Sequence, residues 1–162
     1  MAEQTPHYAV VVPSLGRPSL GVLLGALAAA RGPRPEWLVV VDDRATPDAT
    51  PVLDVRTVPV GVAGHVAVLA GGGRGPAAAR NTGWRAVPAD VDWIAFLDDD
   101  VLVGPDWCAD LSADLAAAQR YGLAASQAEI DVPLPADRRP DRKSGSAGMP
   151  RPRERSRMPS AA

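Results

Sequence analysis

The run Tyr8-Ala-Val-Val-Val12, followed by Pro13-Ser14, is the first of three short apolar stretches that end in polar residues. The other two are Trp37-Leu-Val-Val-Val41 before Asp42-Asp43 and Trp93-Ile-Ala-Phe-Leu97 before Asp98-Asp99-Asp100. Continuous apolar runs of this length are typical of strands that are covered on both faces. They predict a buried sheet, with layers of helices above and below it.

Helical patterns lie between these runs. The leucines at 20, 23, 24 and 27 share one face of a predicted helix, which Gly32-Pro33 ends. Further helices are predicted from about Pro76 to Val87 and from about Pro105 to Arg120. Weaker strand signals cover Val52 to Val60 and His65 to Leu69, and a further strand is predicted near Leu123 to Ile130. The alternation of strands and helices predicts an α/β fold with a mostly parallel central sheet.

Composition excludes several classes of protein. The 162 residues are 46% hydrophobic and carry a formal net charge of −2, as expected of a globular protein. The only cysteine, Cys108, excludes a disulfide scaffold, and its place in a predicted helix indicates a buried small side chain. The longest uncharged apolar stretch, Pro18 to Ala30, is too short to span a bilayer. With no secretory signal at the N-terminus, we expect a cytoplasmic protein without a transmembrane segment.

The near-neutral charge conceals two different parts. Residues 1–132 hold 9 Lys and Arg against 16 Asp and Glu, whereas residues 133–162 hold 8 against 3. The second part also has six prolines and few apolar residues, so it cannot bury enough surface to offset its ordering entropy. We therefore predict a folded domain over 1–132 and a disordered, basic tail, rich in Pro and Arg, over 133–162. Since no aromatic residue lies among the tail arginines, we expect no specific nucleic-acid partner.

The strongest chemical signal is the acidic run Asp98-Asp99-Asp100 directly after a predicted strand. Adjacent carboxylates repel one another, and their oxygens suit hard cations such as Mg²⁺ or Mn²⁺. In an extended chain Asp98 and Asp100 project to one side and Asp99 to the other. A solvated acidic loop is the alternative, but the position after a buried strand favours a divalent metal site.

Two further clusters follow strands of the same predicted sheet. Asp42-Asp43 offers carboxylates to a base or a ribose, with a simple turn as the alternative. The stretch from Gly75 to Gly83 opens a helix whose N-terminus attracts anions, and its Arg80 can bind a phosphate with two hydrogen bonds. A dinucleotide-binding fingerprint, formed by Gly73, Gly75 and Ala78, is a weaker alternative because that motif ordinarily follows the first strand.

Four stretches, in this order, resemble the nucleotide-binding half of family-2 glycosyltransferases. They are Val-Val-Val-Pro13-Ser14-Leu-Gly-Arg17, Val-Val-Val-Asp42-Asp43, Gly75-Pro-Ala-Ala-Ala-Arg80-Asn81-Thr-Gly83 and Phe96-Leu-Asp98-Asp99-Asp100. The resemblance covers roughly residues 7 to 132. It implies a GT-A fold, a Rossmann-like α/β sandwich that binds a nucleotide-diphospho sugar donor and transfers the sugar with inversion.

The resemblance also implies a role for each matching residue. Pro13 and Ser14 would line the nucleoside pocket, and Asp43 would hydrogen-bond the base. The residues it assigns to the nucleotide-sugar site are Pro13, Ser14, Arg17, Asp43, Arg80, Asp98 and Asp99. The family's Asp-x-Asp motif falls on Asp98 to Asp100. Asp98 would contact the ribose or the metal, and Asp100 would bind the divalent cation, Mn²⁺ or Mg²⁺, at the diphosphate.

The resemblance places the catalytic base in an acceptor-binding half downstream of the Asp-x-Asp strand. In this chain the family-like sequence continues through Ser126 to Pro140 and then loses its pattern. We therefore expect an α/β domain that is incomplete at its C-terminus, with an unknown acceptor and no assigned catalytic base. A non-catalytic module that binds a nucleotide or a partner is the alternative function.

Overall fold

The structure, a computed structural model, describes residues 5–46 and 50–125. In chain order the elements in these residues are β1 (Tyr8–Ser14), α1 (Ser19–Ala29), β2 (Trp37–Asp42), β3 (His65–Ala70), α2 (Pro76–Ala86), β4 (Trp93–Phe96) and α3 (Trp107–Arg120). The alternation of strands and helices is that of an α/β fold, which confirms the prediction. None of the helices in this part of the chain combines the length and apolar character that a membrane span requires.

The four strands form one parallel sheet in the order β3-β2-β1-β4. From β1 the chain moves outward to β2 and β3, and it then crosses back to add β4 on the other side of β1. The strand order therefore reverses between β1 and β4. In open α/β sheets, ligands bind at such a reversal, outside the carboxyl ends of the strands.

Helices cover both faces of this sheet because its central strands are apolar on both sides. On one face, Val10 and Val12 of β1 pack with the leucines of α1 and with Leu115 of α3. On the other face, Val11 packs with Val41 of β2 and with Ala79 of α2. All seven residues of β1 are buried, so this strand is the centre of the core.

Helix α2 lies close to the sheet because two small residues face it. Ala79 and Gly83 are one helical turn apart and are the buried residues of α2. A Cβ at Gly83 would collide with Cγ1 of Val11 and would lie 3.1 Å from Cγ2 of Val41. The close approach therefore depends on the missing side chain at residue 83.

The segment after β4 is fastened to the end of α1. The Arg31 N–H donates to the Pro105 carbonyl at 2.6 Å. The Arg31 guanidinium donates to both Asp106 oxygens, from Nε at 2.6 Å and from Nη2 at 2.7 Å. Gly32, with a φ of +107°, lets the backbone of Ala109 pack directly against it. We call this set of contacts the Arg31–Asp106 clamp.

One weaker sequence prediction was wrong. Residues 52–60, all of which the structure describes, form no strand but contain a 3-10 turn at Val55–Thr57. Asp54 caps this turn by accepting a hydrogen bond from the Arg56 N–H, which competes with strand pairing. Pro59 also lacks the N–H that a strand interior needs. The other weak signal, over His65 to Leu69, is confirmed, because β3 begins at His65 as predicted.

Cys108 is fully buried in α3, which confirms its assignment as a small core side chain.

Other predictions fall at or beyond the limit of the described residues. The strand predicted from Leu123 to Ile130 lies mostly outside the described residues, and 123–125 are not in a strand. The domain boundary at residue 132 and the tail over 133–162 also lie outside them and stay predictions.

The packing of α2 can be tested with a matched pair of glycine substitutions. We expect Gly83→Ala to lower the free energy of unfolding by about 1–3 kcal/mol, because the new methyl group overpacks the contact with Val11. Gly25→Ala in α1 should instead raise it by about 0.4–1 kcal/mol, since a Cβ there meets no atom within 4 Å. Urea denaturation of both variants measures the difference, and equal effects of the two substitutions would contradict this account.

Candidate functional site

All eight residues that the sequence analysis assigned to donor or metal binding line one cleft. They are Pro13, Ser14, Arg17, Asp43, Arg80, Asp98, Asp99 and Asp100. The cleft has a volume of about 330 Å³. Leu15 and Pro76 also line it, although the sequence analysis did not select them. The sequence could have identified them, because they directly follow Ser14 and Gly75, which belong to the selected motifs.

The sheet topology explains why residues so distant in sequence meet here. Pro13 and Ser14 are the last residues of β1, Asp43 directly follows β2, and the acidic run follows β4 by one residue. Because these strands are parallel neighbours, their carboxyl ends share one edge of the sheet. The cleft therefore lies where the strand order reverses between β1 and β4.

Asp99 is the buried member of the acidic run and joins the ends of β1 and β4. Its Oδ2 accepts hydrogen bonds from Oγ of Ser14 at 2.7 Å and from the Leu15 N–H at 3.2 Å. The Asp99 side chain is only 7% exposed, and Nη1 of Arg17 lies 3.6 Å from its Oδ1. A buried carboxylate with these partners holds the floor of the cleft in place.

Asp98 and Asp100 differ from Asp99 because their side chains are exposed in the cleft. Oδ1 of Asp98 pairs with Nη2 of Arg80. Oδ2 of Asp100 lies 3.5 Å from Nη1 of Arg17. The two outer carboxylates thus meet guanidinium groups from different elements, one from α2 and one from the loop after β1. Such exposed pairs contribute about 0–1 kcal/mol each to stability.

The adjacent residues Asp42 and Asp43 have different partners. Asp42 ends β2, and its carboxylate is bound by Nε and Nη2 of Arg44, at 2.9 and 2.7 Å. These hydrogen bonds hold the pKa of the Asp42 carboxyl below its ordinary value. Asp43 instead lines the cleft, and its Oδ1 accepts from the backbone N–H of Arg74 at 3.1 Å. Asp42 is therefore a structural carboxylate, and Asp43 is the one that faces the site.

The glycine-rich turn before α2 packs against the end of β2. A Cβ at Gly71 would lie 3.1 Å from Oδ1 of Asp43, and one at Gly73 would collide with the backbone of Ala45. Gly73 also has a φ of +64°, a conformation that favours glycine. The glycines thus have a structural reason for their positions. They also follow β3, the edge strand, and not the strand at the reversal of the sheet.

The donor set of the cleft is compatible with a divalent cation that is shared with phosphate. Within residues 5–46 and 50–125, no group of three or more His, Cys, Asp or Glu side chains is arranged to hold a metal by itself. Mg²⁺ commonly uses only one or two carboxylates, completing its shell with waters and substrate phosphates. Asp98 and Asp100 provide two accessible carboxylates of this kind, so the residues present fit the cation.

Comparison with known proteins gives the family. The model of glycosyl transferase family 2 matches residues 9–160. The chain belongs to this family. No curated protein matches it significantly.

A solved structure supports the fold of this family-2 domain. The crystal structure of TarS from S. aureus matches with a TM-score of 0.54 and 23% sequence identity. The match covers 70% of this chain and 20% of the TarS chain, so the family-2 domain described here spans about a fifth of that protein. The likeness confirms the predicted GT-A, Rossmann-like fold class.

The role of Asp99 can be tested by its removal. We expect Asp99→Ala to lower the free energy of unfolding by about 1–3 kcal/mol, because it leaves the Ser14 hydroxyl and the Leu15 N–H without their acceptor. Asp100→Ala, which removes an exposed carboxylate from the next position, should change it by less than about 0.5 kcal/mol. Urea denaturation at pH 7 measures both values, and a similar loss in the two variants would contradict the distinction between them.

The Asp42–Arg44 pair makes a separate prediction about pH. Because folding lowers the pKa of Asp42, its contribution to stability is present above the unfolded value of 3.8 and is lost as the pH falls through the folded pKa. We expect Asp42→Asn to be less stable than wild type at pH 7 and to lose less stability on acidification. Urea denaturation between pH 7 and pH 2.5 tests this, and parallel curves for the two proteins would refute it.

Proposed function

We propose that this domain binds a nucleotide-diphospho sugar together with a divalent cation, as the donor site for inverting sugar transfer. The single observation that carries the proposal is the meeting of all eight predicted residues in one cleft at the reversal of the sheet. Family membership supports the glycosyltransferase class over a dinucleotide-binding domain. The activity of the whole protein is part of the proposal, its acceptor stays unassigned, and the cytoplasmic location stays a prediction.

Each part of the donor has a matching group in the cleft. The nucleoside would lie against Pro13 and Ser14, where Asp43 offers a buried carboxylate as an acceptor for an N–H of the base. The diphosphate would lie towards Arg80 and the N-terminus of α2, which begins with Pro76 beside the cleft. A guanidinium group and the positive end of a helix both favour an anion at that place.

Asp98 and Asp100 would hold the cation, Mn²⁺ or Mg²⁺, at the diphosphate. When bound, such a cation supplies positive charge that stabilises a departing nucleoside diphosphate. Asp99 would act as a positioning residue, because its hydrogen bond to Ser14 sets the distance between the nucleoside end and the acidic end of the cleft. The base that activates the acceptor stays unassigned, since the family resemblance places it downstream of the acidic run.

Calorimetric measurement of UDP and GDP binding, with and without Mn²⁺, tests the donor site. We expect one of the two nucleotides to bind in a metal-dependent way, and Asp100→Ala to weaken that binding about tenfold or more by removing a metal ligand. Asp114→Ala is the matched control, because Asp114 is an exposed residue of α3 that does not line the cleft. We expect this variant to bind like wild type.

Three results would contradict the proposal. They are the failure of both nucleotides to bind with Mn²⁺, equal binding by the Asp100 and Asp114 variants, and binding of NAD without a metal. The third result would instead favour the dinucleotide-binding alternative. Hydrolysis or transfer of the sugar from a matching nucleotide sugar would separate an active transferase from a non-catalytic binding module.

A further inference from the structure

The carboxylates that would bind the cation are already paired with positive groups of the protein. Asp98 pairs with Arg80, and Asp100 pairs with Arg17 across the cleft. A guanidinium group beside a carboxylate offsets its negative charge and takes up part of its lone-pair capacity, and both weaken its attraction for a metal ion. The metal and the arginines therefore compete for the same two carboxylates.

The two pairs are well placed for exchange of partners. The side chains of Asp98 and Asp100 are 53% and 62% exposed, and those of Arg80 and Arg17 are 35% and 53% exposed. Ion pairs with this much exposure contribute little in water, so a better partner can replace them. Asp99 is different, because it is buried and hydrogen-bonded to Ser14, and it therefore stays in place during the exchange.

The charge of the cleft makes each ligand depend on the other. The lining holds four carboxylates, at residues 43, 98, 99 and 100, and two guanidinium groups, which gives a formal charge of −2. A diphosphate that arrives alone meets this negative charge, while a cation that arrives alone meets carboxylates held by arginines. When both are present, the arginines can bind phosphate oxygens and the carboxylates can bind the cation.

We propose that Arg80 and Arg17 act as internal counter-cations of Asp98 and Asp100. When donor and metal bind together, the two guanidinium groups move from the carboxylates to the oxygens of the diphosphate. The consequence is positive coupling between nucleotide and metal, with weak binding of either ligand alone. This inference rests on the proposed donor site. It adds that the arginines oppose binding of the free cation and favour binding of the nucleotide.

The experiment compares the wild-type chain of 162 residues with its Arg80→Met and Arg85→Met variants. The electron paramagnetic resonance signal of free Mn²⁺ measures the binding of MnCl₂ alone. Calorimetry measures the binding of UDP or GDP at saturating Mn²⁺. Arg85 lies on the same helix but stacks on Trp84 and does not line the cleft, so it is the matched control. Circular dichroism confirms that the variants keep the wild-type fold.

We expect opposite changes in the two affinities of Arg80→Met. Mn²⁺ alone should bind about two- to fivefold more tightly, since its competitor for Asp98 is gone. The nucleotide should bind about tenfold or more weakly, because a charged phosphate partner is lost. Arg85→Met should leave both affinities unchanged, and Arg17→Met should repeat the result through Asp100.

The outcomes separate this inference from the proposed function. Wild type that binds neither nucleotide with Mn²⁺ overturns both. Metal-dependent nucleotide binding in wild type, with an unchanged or lower affinity of Arg80→Met for Mn²⁺ alone, overturns the exchange of partners and leaves the donor site standing. If Arg85→Met changes the affinity for Mn²⁺ alone by as much as Arg80→Met does, the exchange of partners is also overturned, since the effect would then come from net charge.

Discussion

The burial of β1 on both faces is the constraint on which the rest of the structure depends. A strand without a wet face must have helices above and below it, so the chain has to cross the sheet on both sides. α1 and α3 cover one face and α2 covers the other. The crossing that carries α2 also adds β4 on the far side of β1, and this produces the reversal at which Ser14 and Asp99 meet.

The same packing connects the core to the charges of the cleft. Ala79 and Gly83 let α2 lie close to the sheet, and Arg80 follows Ala79 directly in the chain. Burial of Ala79 against Val11 and Val41 therefore brings the neighbouring guanidinium group to Asp98. The position of α2 therefore accounts both for the packing of its small residues on the sheet and for the ion pair of Arg80 with Asp98.

Local patterns predicted much of the fold and of the cleft. The apolar runs located β1, β2 and β4, and parallel pairing then implied that Asp43 and the acidic run would share an edge of the sheet. The partner of Asp99 was not predictable, because Ser14 is 85 residues away and the hydrogen bond depends on the strand order. The strand predicted over 52–60 failed for a local reason, since Asp54 caps a turn with its side chain and a residue pattern does not weigh that competition.

The Arg31–Asp106 clamp has a consequence for the thermodynamics of recognition. Its backbone contacts, the hydrogen bond from Arg31 to the Pro105 carbonyl and the packing of Gly32 on Ala109, hold the far end of the segment that begins at the acidic run, while pairing of β4 with β1 holds the near end. A short loop held at both ends loses its conformational entropy when the protein folds, and not when a ligand arrives. The backbone of the acidic run is thus preorganised, so a ligand of the proposed donor site would bind without having to order a mobile loop.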